Sequence, residues 1–348
     1  MADKPFFSII IPTYNPRNYI SEMLNSISQN ECANEIEVIL SDDCSDEPFN
    51  DILEQFESLN IRLISNNQHY GFPRIGRQCG ANIATGEWIT FADQDDYYLY
   101  NALDAVKKCI IEDEVESVLF CAIHKENVET KERSYENPDR AWTHGKFIRK
   151  SFWDEYGLFY DELEQNEDSN IVTKIQCLLI RLNKPVNLFH SPVYVWVERP
   201  DSLGHSEKSG NVPDYIKAVV KVVFDHLCRY SYDERMKLIY KRSFILCLYR
   251  VFFYLQFIAY NFNREEIYDS IRLLQPMYDK FKSITGITNR MLINATYSDY
   301  AEYFNNIRDE VSDMQLVVEQ ITFRDWINTY FNSDNKEEYF TGSIEDPH

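Results

Sequence analysis

Short apolar runs alternate with amphipathic segments over the first hundred residues. The runs are rich in Ile, Val and Phe and are bounded by turn residues, which is typical of β-strands. They occupy residues 6–11, 36–41, 61–65 and 88–92. Between them, residues 17–30 and 48–59 place their apolar side chains on one helical face. Strands that alternate with helices predict βαβ units and a mostly parallel sheet, in which ligands bind beyond the carboxyl ends of the strands.

A second set of elements is predicted further along the chain. The helical pattern covers 101–116 and 169–183, and the extended pattern covers 117–124 and 186–197. Residues 199–213 are rich in Gly, Pro and Ser, which is typical of a loop or a domain boundary.

The pattern changes after this loop. Helical periods continue over 214–332, with few Gly or Pro residues and no convincing alternation of apolar and polar positions. We therefore predict an α/β domain, an all-helical domain and a polar tail, with the boundaries 1–206, 207–332 and 333–348.

Residues 243–262 form the most hydrophobic segment of the chain. Because Arg250 and Gln256 interrupt it near its centre, we do not expect it to span a membrane. Four basic residues precede it: Arg235, Lys237, Lys241 and Arg242. Three interpretations stay open, namely a buried core helix, a surface between copies in a homo-oligomer, and a peripheral membrane contact.

Composition and charge narrow the function classes. The chain has 348 residues, with 35 Lys and Arg against 56 Asp and Glu, and a formal net charge of −21. Nucleic acid is not expected as a partner, because phosphate contacts need clustered Lys and Arg. The eight Cys form no C-x-x-C pair, and the apolar stretch at 6–11 is short and ends at Pro12. We therefore expect free thiols, no secretory signal and a cytoplasmic location.

The most informative motif is Asp93-Gln94-Asp95-Asp96, which follows the predicted strand at 88–92. Three adjacent carboxylates repel one another unless a cation or water neutralises them. Hard oxygen ligands suit Mg²⁺ or Mn²⁺, which often binds through one or two carboxylates and the phosphates of a substrate. The alternative is a cap for a helix that begins near residue 97, which explains one carboxylate but not three.

Other polar positions are candidates of the same kind. Asp42 to Asp46 form a second acidic turn after a strand, and Glu167-Asp168 precede an amphipathic helix. Helix capping is the better single explanation of the acidic turn at Asp42 to Asp46, whereas spacing alone does not decide between a cap and a general base for Glu167-Asp168. His205, in the boundary loop, could complete a mixed Asp and His metal site. The stretch Gly71–Gly80 contains three Gly and two Arg, and Arg74 and Arg77 could contact a phosphate.

Taken together, these motifs resemble the family 2 glycosyltransferases. The blocks are Ser8-Ile-Ile-Ile-Pro-Thr-Tyr-Asn15, Ser41-Asp-Asp-Cys-Ser-Asp46, Gly86-Glu-Trp-Ile-Thr-Phe-Ala-Asp-Gln-Asp-Asp96 and Glu167-Asp168. Their order and spacing match the family over about residues 6–206. The resemblance implies the nucleotide-sugar-binding fold called GT-A for this part of the chain. The boundary loop Glu198-Arg-Pro-Asp-Ser-Leu-Gly-His-Ser206 is similar, more loosely, to the His-Ser loop of wall teichoic acid glycosyltransferases within the family.

The resemblance implies a donor site made of five residues. Pro12, Tyr14 and Asn15 would line the nucleoside site, with Tyr14 against the base. Asp43 would accept a hydrogen bond from the uracil N–H, and Arg77 would lie near the nucleotide. The sequence departs from the family at Gln78, where Asn is common.

The resemblance also implies a cation site and a base. Asp93 would hold the ribose or the shell of the cation, Asp95 would ligate Mn²⁺ or Mg²⁺, and His205 would add a metal or pyrophosphate contact. Asp168 would be the catalytic base that takes the proton of the acceptor hydroxyl.

The implied function is metal-dependent transfer of a sugar from a nucleotide-sugar, with UDP-sugar as the expected donor. The acceptor is a hydroxyl group of a glycan or cell-surface polymer, the anomeric centre is inverted, and the enzyme works in the cytoplasm or at the inner face of the membrane. Two alternatives stay open: an inactive relative that only binds a nucleotide-sugar, and a nucleotidyltransferase. The sequence names neither the sugar nor the acceptor.

Overall fold

The computed structural model describes residues 4–138, 142–163, 166–199, 216–229, 272–280 and 283. The chain divides into two units, Met1–Ser209 and Gly210–His348. The described part of the second unit is helical and comprises a π-helical turn, Ile216–Val220, and helices at Lys221–Arg229 and 272–280. The segment 243–262, the tail and most of the predicted helical domain lie outside the described residues. No described helix is long and apolar enough to cross a membrane.

The first unit contains one sheet, which has nine strands within the described ranges. In chain order they are β1 (Phe7–Thr13), β2 (Ile36–Asp42), β3 (Asn60–Ser65), β4 (Trp88–Phe91), β5 (Tyr97–Tyr98), β6 (Val118–Asn127), β7 (Arg133–Glu136), β8 (Lys146–Arg149) and β9 (Asn187–Glu198). The strand order is β3-β2-β1-β4-β8-β6-β9-β5, and β7 pairs with β6. The four apolar runs of the sequence are therefore confirmed as β1 to β4.

Helices pack on both faces of this sheet. They are α1 (Ile20–Ser28), α2 (Asn50–Leu53), α3 (Pro73–Ile83), α4 (Ala102–Glu112), α5 (Lys150–Glu155) and α6 (Glu167–Arg181). The helix expected over 48–59 is shorter than predicted, because α2 has only four residues and continues as a 3₁₀ turn, Glu54–Phe56.

The sheet is mixed rather than mostly parallel, which corrects the expectation from the sequence. β1 pairs in parallel with β2 and β4, and β2 with β3. β8 then runs antiparallel to both β4 and β6, although β6 and β9 are parallel. The four residues of β8, Lys-Phe-Ile-Arg, carry a charge at each end and give no apolar run, so the sequence pattern did not predict this strand.

The apolar core lies on both faces of the central strand β1. Ile9 and Ile11 pack with α1 and α4 on one face, whereas Ile10 packs with α3 and α6 on the other. All three side chains are fully buried. A strand covered on both faces needs a continuous apolar run, which is why 6–11 lacks the usual alternation.

Most of the Gly-rich stretch Gly71–Gly80 belongs to a helix, α3, and does not form a phosphate-binding loop. Pro73 starts the helix, where its missing N–H costs nothing. A Cβ atom at Gly80 would collide with Ile10 Cγ2. The glycine is therefore required for α3 to lie directly against β1.

The end of the sheet opposite the carboxyl ends of β1 and β2 is held by one buried carboxylate. Glu37 accepts hydrogen bonds from Ser8 Oγ and from the backbone N–H groups of Thr85 and Gly86, and it pairs with Arg62. Burial alone would raise the pKa of Glu37, but these hydrogen bonds outweigh it, and the pKa lies below its ordinary value.

We predict that Glu37→Gln lowers the free energy of unfolding by about 1–3 kcal/mol at pH 7, because the new NH₂ group faces the Arg62 guanidinium group and the other three donors keep only a neutral acceptor. A carboxyl with a lowered pKa in the folded state stabilises above its ordinary value of 4.5 and loses this effect as the pH falls. The difference between the variant and the wild type should therefore shrink below that pH. Urea denaturation at several pH values measures both effects.

The matched control is Glu116→Gln, because Glu116 pairs with Lys184 and its side chain is 71% exposed. We expect that control to leave the free energy of unfolding almost unchanged, because the carboxyl group is exposed to solvent. Equal stability of Glu37→Gln and wild type at pH 7 would contradict the role given to Glu37.

Candidate active site

The carboxyl ends of β1, β2 and β4 open onto one cavity of about 600 Å³. Because β1 pairs in parallel with both neighbours, the turns that follow these strands meet at one edge of the sheet. Five residues predicted for a nucleotide and cation site line this cavity: Pro12, Tyr14, Asp43, Asp93 and Asp95.

An exposed aromatic pair forms one end of the cavity. The rings of Tyr14 and His69 are stacked with their centroids 4.0 Å apart. The nearby Thr13 and Ser41 also line the cavity, and their buried hydroxyl groups have no hydrogen-bond partner among the described residues. This end therefore offers a flat aromatic surface, whereas the two hydroxyl groups are buried. His69 was not predicted, because a single His in the loop after β3 gives no signal.

Asp43 holds the loop that carries His69. Its carboxylate accepts hydrogen bonds from Asn66 Nδ2 at 2.8 Å and from the backbone N–H groups of Tyr70 and Gly71 at 3.0 and 2.7 Å. His69 Nδ1 lies 3.0 Å from the same carboxylate. In this structure Asp43 therefore shapes the cavity wall through hydrogen bonds to the protein.

Asn15, like Asp43, fixes a turn of the protein through hydrogen bonds. Its φ of 47° places it in the left-handed region, where Asn is tolerated better than most residues. Its side chain exchanges two hydrogen bonds with Asp46, and its backbone N–H donates to Ser45 Oγ. Asn15 thus joins the turn after β1 to the turn after β2, and it is not among the residues of the cavity wall.

Arg77 connects two of the three acidic motifs of the sequence, Asp93 to Asp96 and Glu167-Asp168. Its guanidinium group pairs with Asp93 at 2.7 Å, Glu167 at 2.9 Å and Asp168 at 3.1 Å. The Arg77 side chain is only 3% exposed and does not belong to the cavity wall, although the resemblance placed it near a nucleotide. Burial opposes its charge, yet the three carboxylates hold the pKa of Arg77 well above its usual range.

Asp93 has a second cationic partner that the sequence did not reveal. His144 Nε2 lies 3.1 Å from Asp93 Oδ2, and the imidazole ring stacks on Tyr194 with an interplanar angle of 8°. Burial works against the charge of His144, but Asp93 raises its pKa to about 9. Burial likewise opposes the charge of Asp93, and Arg77 and His144 hold the pKa of Asp93 well below its usual range. His144 was missed because it lies in an irregular segment far from Asp93 in sequence.

The acidic triplet separates into three environments. Asp95 pairs with Arg199 at 2.7 Å. Asp96 points inward, where it accepts hydrogen bonds from Tyr194 Oη and the backbone N–H of Val197, each at 2.8 Å. Asp96 therefore ties the turn after β4 to β9 and does not face a ligand. The protein itself therefore provides partners for two of the three carboxylates that were expected to need a cation: Arg199 for Asp95, and Tyr194 with Val197 for Asp96.

The remaining carboxylates fit a divalent cation. Asp93 and Asp95 line the cavity with side chains that are 30% and 33% exposed, and hard oxygen donors suit Mg²⁺ or Mn²⁺. Within the described ranges, Asp93, Asp96 and His144 also offer ligand atoms within 4.8 Å of one another. Asp96 is only 1% exposed and does not line the cavity, whereas Asp93 and Asp95 do, so we favour Asp93 and Asp95. His205 lies outside the described residues.

Glu167 and Asp168 occupy the first turn of α6. The preceding residue, Asn166, has a φ of 59° and makes no side-chain cap, and both carboxylates turn to Arg77 instead. Asp168 Oδ1 also accepts a hydrogen bond from Thr143 Oγ1 at 2.8 Å. Burial and the neighbouring Asp168 raise the pKa of Glu167, against the effect of Arg77. Helix capping therefore does not account for this pair.

Arg77 provides a test of this electrostatic arrangement. We predict that Arg77→Met lowers the free energy of unfolding by about 3–5 kcal/mol at pH 7, because three carboxylates lose a buried partner. The loss should become smaller as the pH falls, since the uncompensated carboxyl groups then take up protons. Urea denaturation between pH 5 and pH 8 measures both effects.

Arg17→Met is the control, because Arg17 pairs with Asp51 at 2.7 Å and both side chains are well exposed. Such surface pairs contribute about 0–1 kcal/mol. If the two variants lost the same stability, the central role of Arg77 would be refuted.

Comparison with known proteins identifies the family to which this chain belongs. The model of a family described as glycosyl transferase family 2 matches residues 8–181, which is half of the chain. The match extends along the chain from β1 to α6. It includes all three acidic motifs, Asp42 to Asp46, Asp93 to Asp96 and Glu167-Asp168.

Among curated relatives, the Staphylococcus aureus enzyme poly(ribitol-phosphate) beta-N-acetylglucosaminyltransferase TarS is 38% identical over 93 residues. The aligned part is 26% of this chain and 16% of that enzyme. A Campylobacter jejuni GalNAc(5)-diNAcBac-PP-undecaprenol beta-1,3-glucosyltransferase is 28% identical over 171 residues, or 48% of this chain and 55% of the relative. The chain thus matches only part of the length of these relatives.

Among solved structures, S. aureus TarS 1-349 in complex with UDP-GlcNAc has a TM-score of 0.64 and 20% sequence identity. The superposition covers 91% of this chain and 94% of that one. At this identity the likeness shows the fold, a GT-A-like mixed sheet with helices.

Proposed function

This chain belongs to glycosyl transferase family 2, and we propose that it transfers a sugar from a UDP-sugar to a hydroxyl group of a glycan or cell-surface polymer. The transfer depends on a divalent cation and inverts the anomeric carbon. One observation carries the proposal: Arg77 holds Asp93, at the cavity wall, and Asp168, from a distant helix, on one guanidinium group. A site for a diphosphate and a site for a base are therefore adjacent.

The donor is proposed to bind with its nucleoside at the aromatic end of the cavity. Tyr14 and His69 supply a surface on which a base can stack. Pro12 completes the wall. Asp43 is proposed to accept a hydrogen bond from the uracil N–H. Its hydrogen bonds to the backbone of Tyr70 and Gly71 hold the loop beside this position. The structure of TarS with UDP-GlcNAc, which has the same fold, supports this class of donor.

The diphosphate is proposed to lie at the acidic end of the cavity. Asp93 and Asp95 would hold Mn²⁺ or Mg²⁺ there, with His205 as a further contact. When bound, such a cation supplies electrostatic stabilisation of the departing nucleoside diphosphate. Arg77 and His144 keep Asp93 ionised and fixed in position before any ligand arrives.

Asp168 is proposed as the general base. It accepts the proton of the acceptor hydroxyl while the hydroxyl oxygen bonds to the anomeric carbon and the bond to the diphosphate breaks. A single displacement of this kind inverts the anomeric carbon and needs no covalent enzyme intermediate. Arg77 Nη1 donates a hydrogen bond to Asp168 Oδ1 and holds the carboxylate in place before the reaction.

We predict that the purified protein releases UDP from a UDP-sugar in the presence of an acceptor glycan, and that EDTA abolishes the reaction. Mn²⁺ or Mg²⁺ should restore it. UDP-sugars should react faster than GDP-sugars or ADP-sugars. Mass spectrometry of the products identifies the transferred sugar and separates this activity from its alternatives. Binding without product would indicate an inactive relative. Formation of UTP and a sugar 1-phosphate when pyrophosphate is added would indicate a nucleotidyltransferase.

The base assignment gives a second prediction. Asp168→Asn should lower kcat by about 10²–10⁴-fold, the usual contribution of general-base catalysis. The affinity for UDP, measured by calorimetry, should be nearly unchanged, because Asp168 does not belong to the cavity wall. Glu167→Gln is the matched control, since Glu167 shares Arg77 and is buried to the same degree. A larger loss from Glu167→Gln would move the base to Glu167.

A further inference from the structure

A buried turn of four residues contacts both of the acidic motifs that Arg77 connects, through Asp93 and Asp168. No sequence motif predicted this turn. The turn comprises Thr143, His144, Gly145 and Lys146, and it is closed by a hydrogen bond from the Lys146 N–H to the Thr143 carbonyl oxygen at 3.1 Å. The side chains of the three non-glycine residues are directed into the protein, since Thr143 is 1% exposed, His144 6% and Lys146 2%. Such complete burial of polar side chains requires that each has a structural or chemical task.

The backbone of this turn is fixed in place. The Cys121 N–H donates to the Gly145 carbonyl oxygen at 2.8 Å, which attaches the turn to β6. Gly145 has a φ of 69°, and a Cβ atom there would lie 2.8 Å from Ile123 Cγ2. The turn can therefore present its side chains with little freedom of movement.

Two of these side chains bind the two acidic motifs directly. His144 pairs with Asp93, as described above. Thr143 Oγ1 donates to Asp168 Oδ1 at 2.8 Å. The direction of the second bond is unambiguous, because an ionised carboxylate has no proton to donate.

The hydrogen bonds on Asp168 are unequally distributed over its two oxygens. Oδ1 accepts from both Thr143 Oγ1 and Arg77 Nη1. Oδ2 accepts no hydrogen bond within the part of the chain that the structure describes. One oxygen of the carboxylate is therefore occupied by the protein, and the other is available.

From this asymmetry, and on the premise that Asp168 is the base of the proposed transferase, we infer that Thr143 is a positioning residue. Its hydroxyl group, together with Arg77, holds Oδ1 so that Oδ2 is the oxygen that accepts the proton of the acceptor hydroxyl. Arg77 alone cannot fix this orientation, because its Nη1 is shared with Glu167. Thr143 supplies the second point that determines the rotation of the carboxylate.

The inference predicts a kinetic defect without a binding defect. Thr143→Val keeps the shape of the side chain but removes the donor, so kcat for sugar transfer should fall roughly 10- to 100-fold, as expected for a misplaced catalytic group. The dissociation constant of UDP should change little, because Thr143 does not belong to the cavity wall. Thr143→Ser keeps the hydroxyl group and should retain most of the wild-type kcat.

Thr173→Val separates this effect from a loss of stability. Thr173 lies on α6, is 2% exposed, and donates to the Ser169 carbonyl oxygen at 2.6 Å within the same helix. The substitution is the same, and in both cases a buried oxygen acceptor loses its hydroxyl donor. We expect a similar fall in melting temperature for the two valine variants, but a normal kcat for Thr173→Val.

The experiment is steady-state kinetics, UDP calorimetry and thermal melting on the wild type, the three threonine variants and Asp168→Asn. If Thr143→Val does not fold, Thr143→Ala against Thr143→Ser gives the same comparison. Wild-type kcat in the hydroxyl-free variant, beside a slow Asp168→Asn, would overturn the inference alone, as would equal losses in Thr143→Val and Thr143→Ser. Absence of transfer by the wild type would overturn the proposed function and this inference with it.

Discussion

The site depends on the buried guanidinium group of Arg77. This group pairs with the turn after β4 and with the first turn of α6, and its positive charge allows three carboxylates to lie close together at low exposure. Its position depends in turn on the packing of α3. A helix with a side chain at Gly80 would collide with Ile10, and the guanidinium group would be carried away from at least one partner. A glycine contact against β1 therefore contributes to the electrostatics of the site.

The parallel half of the fold and the cavity position could be predicted from the sequence, because their signals are local. An apolar run such as 6–11 specifies a buried strand by itself, and an acidic turn after a strand specifies the edge where a ligand binds. The mixed half could not be predicted in this way. β8 has four residues and no apolar run, and its place between β4 and β6 is set by pairing over long sequence distances.

The same distinction applies to individual site residues. Asp93 and Asp95 were predicted as a pair of similar carboxylates, but tertiary contacts give them different partners, Arg77 with His144 for one and Arg199 for the other. Asp96 has the same residue type and adjoins them, yet it is bound inward to Tyr194 and Val197. A single sequence reports the residue type and the strand end, whereas the direction of each side chain is decided by partners that lie between 16 and 104 residues away.

The arrangement also shows how an acidic protein can prepare a site for an anionic donor. Each functional carboxylate is bound before ligand arrives: Asp93 by Arg77 and His144, Asp95 by Arg199, and Asp168 by Arg77 and Thr143. Breaking a buried pair costs far more than a surface pair, so these side chains cannot reorient freely. The one group among them with a neutral partner is Asp168, and a hydroxyl donor fixes direction while adding no further positive charge. A base needs this combination, because a second cation would make the carboxylate a poorer proton acceptor, whereas an unfixed carboxylate would lose the advantage of orientation.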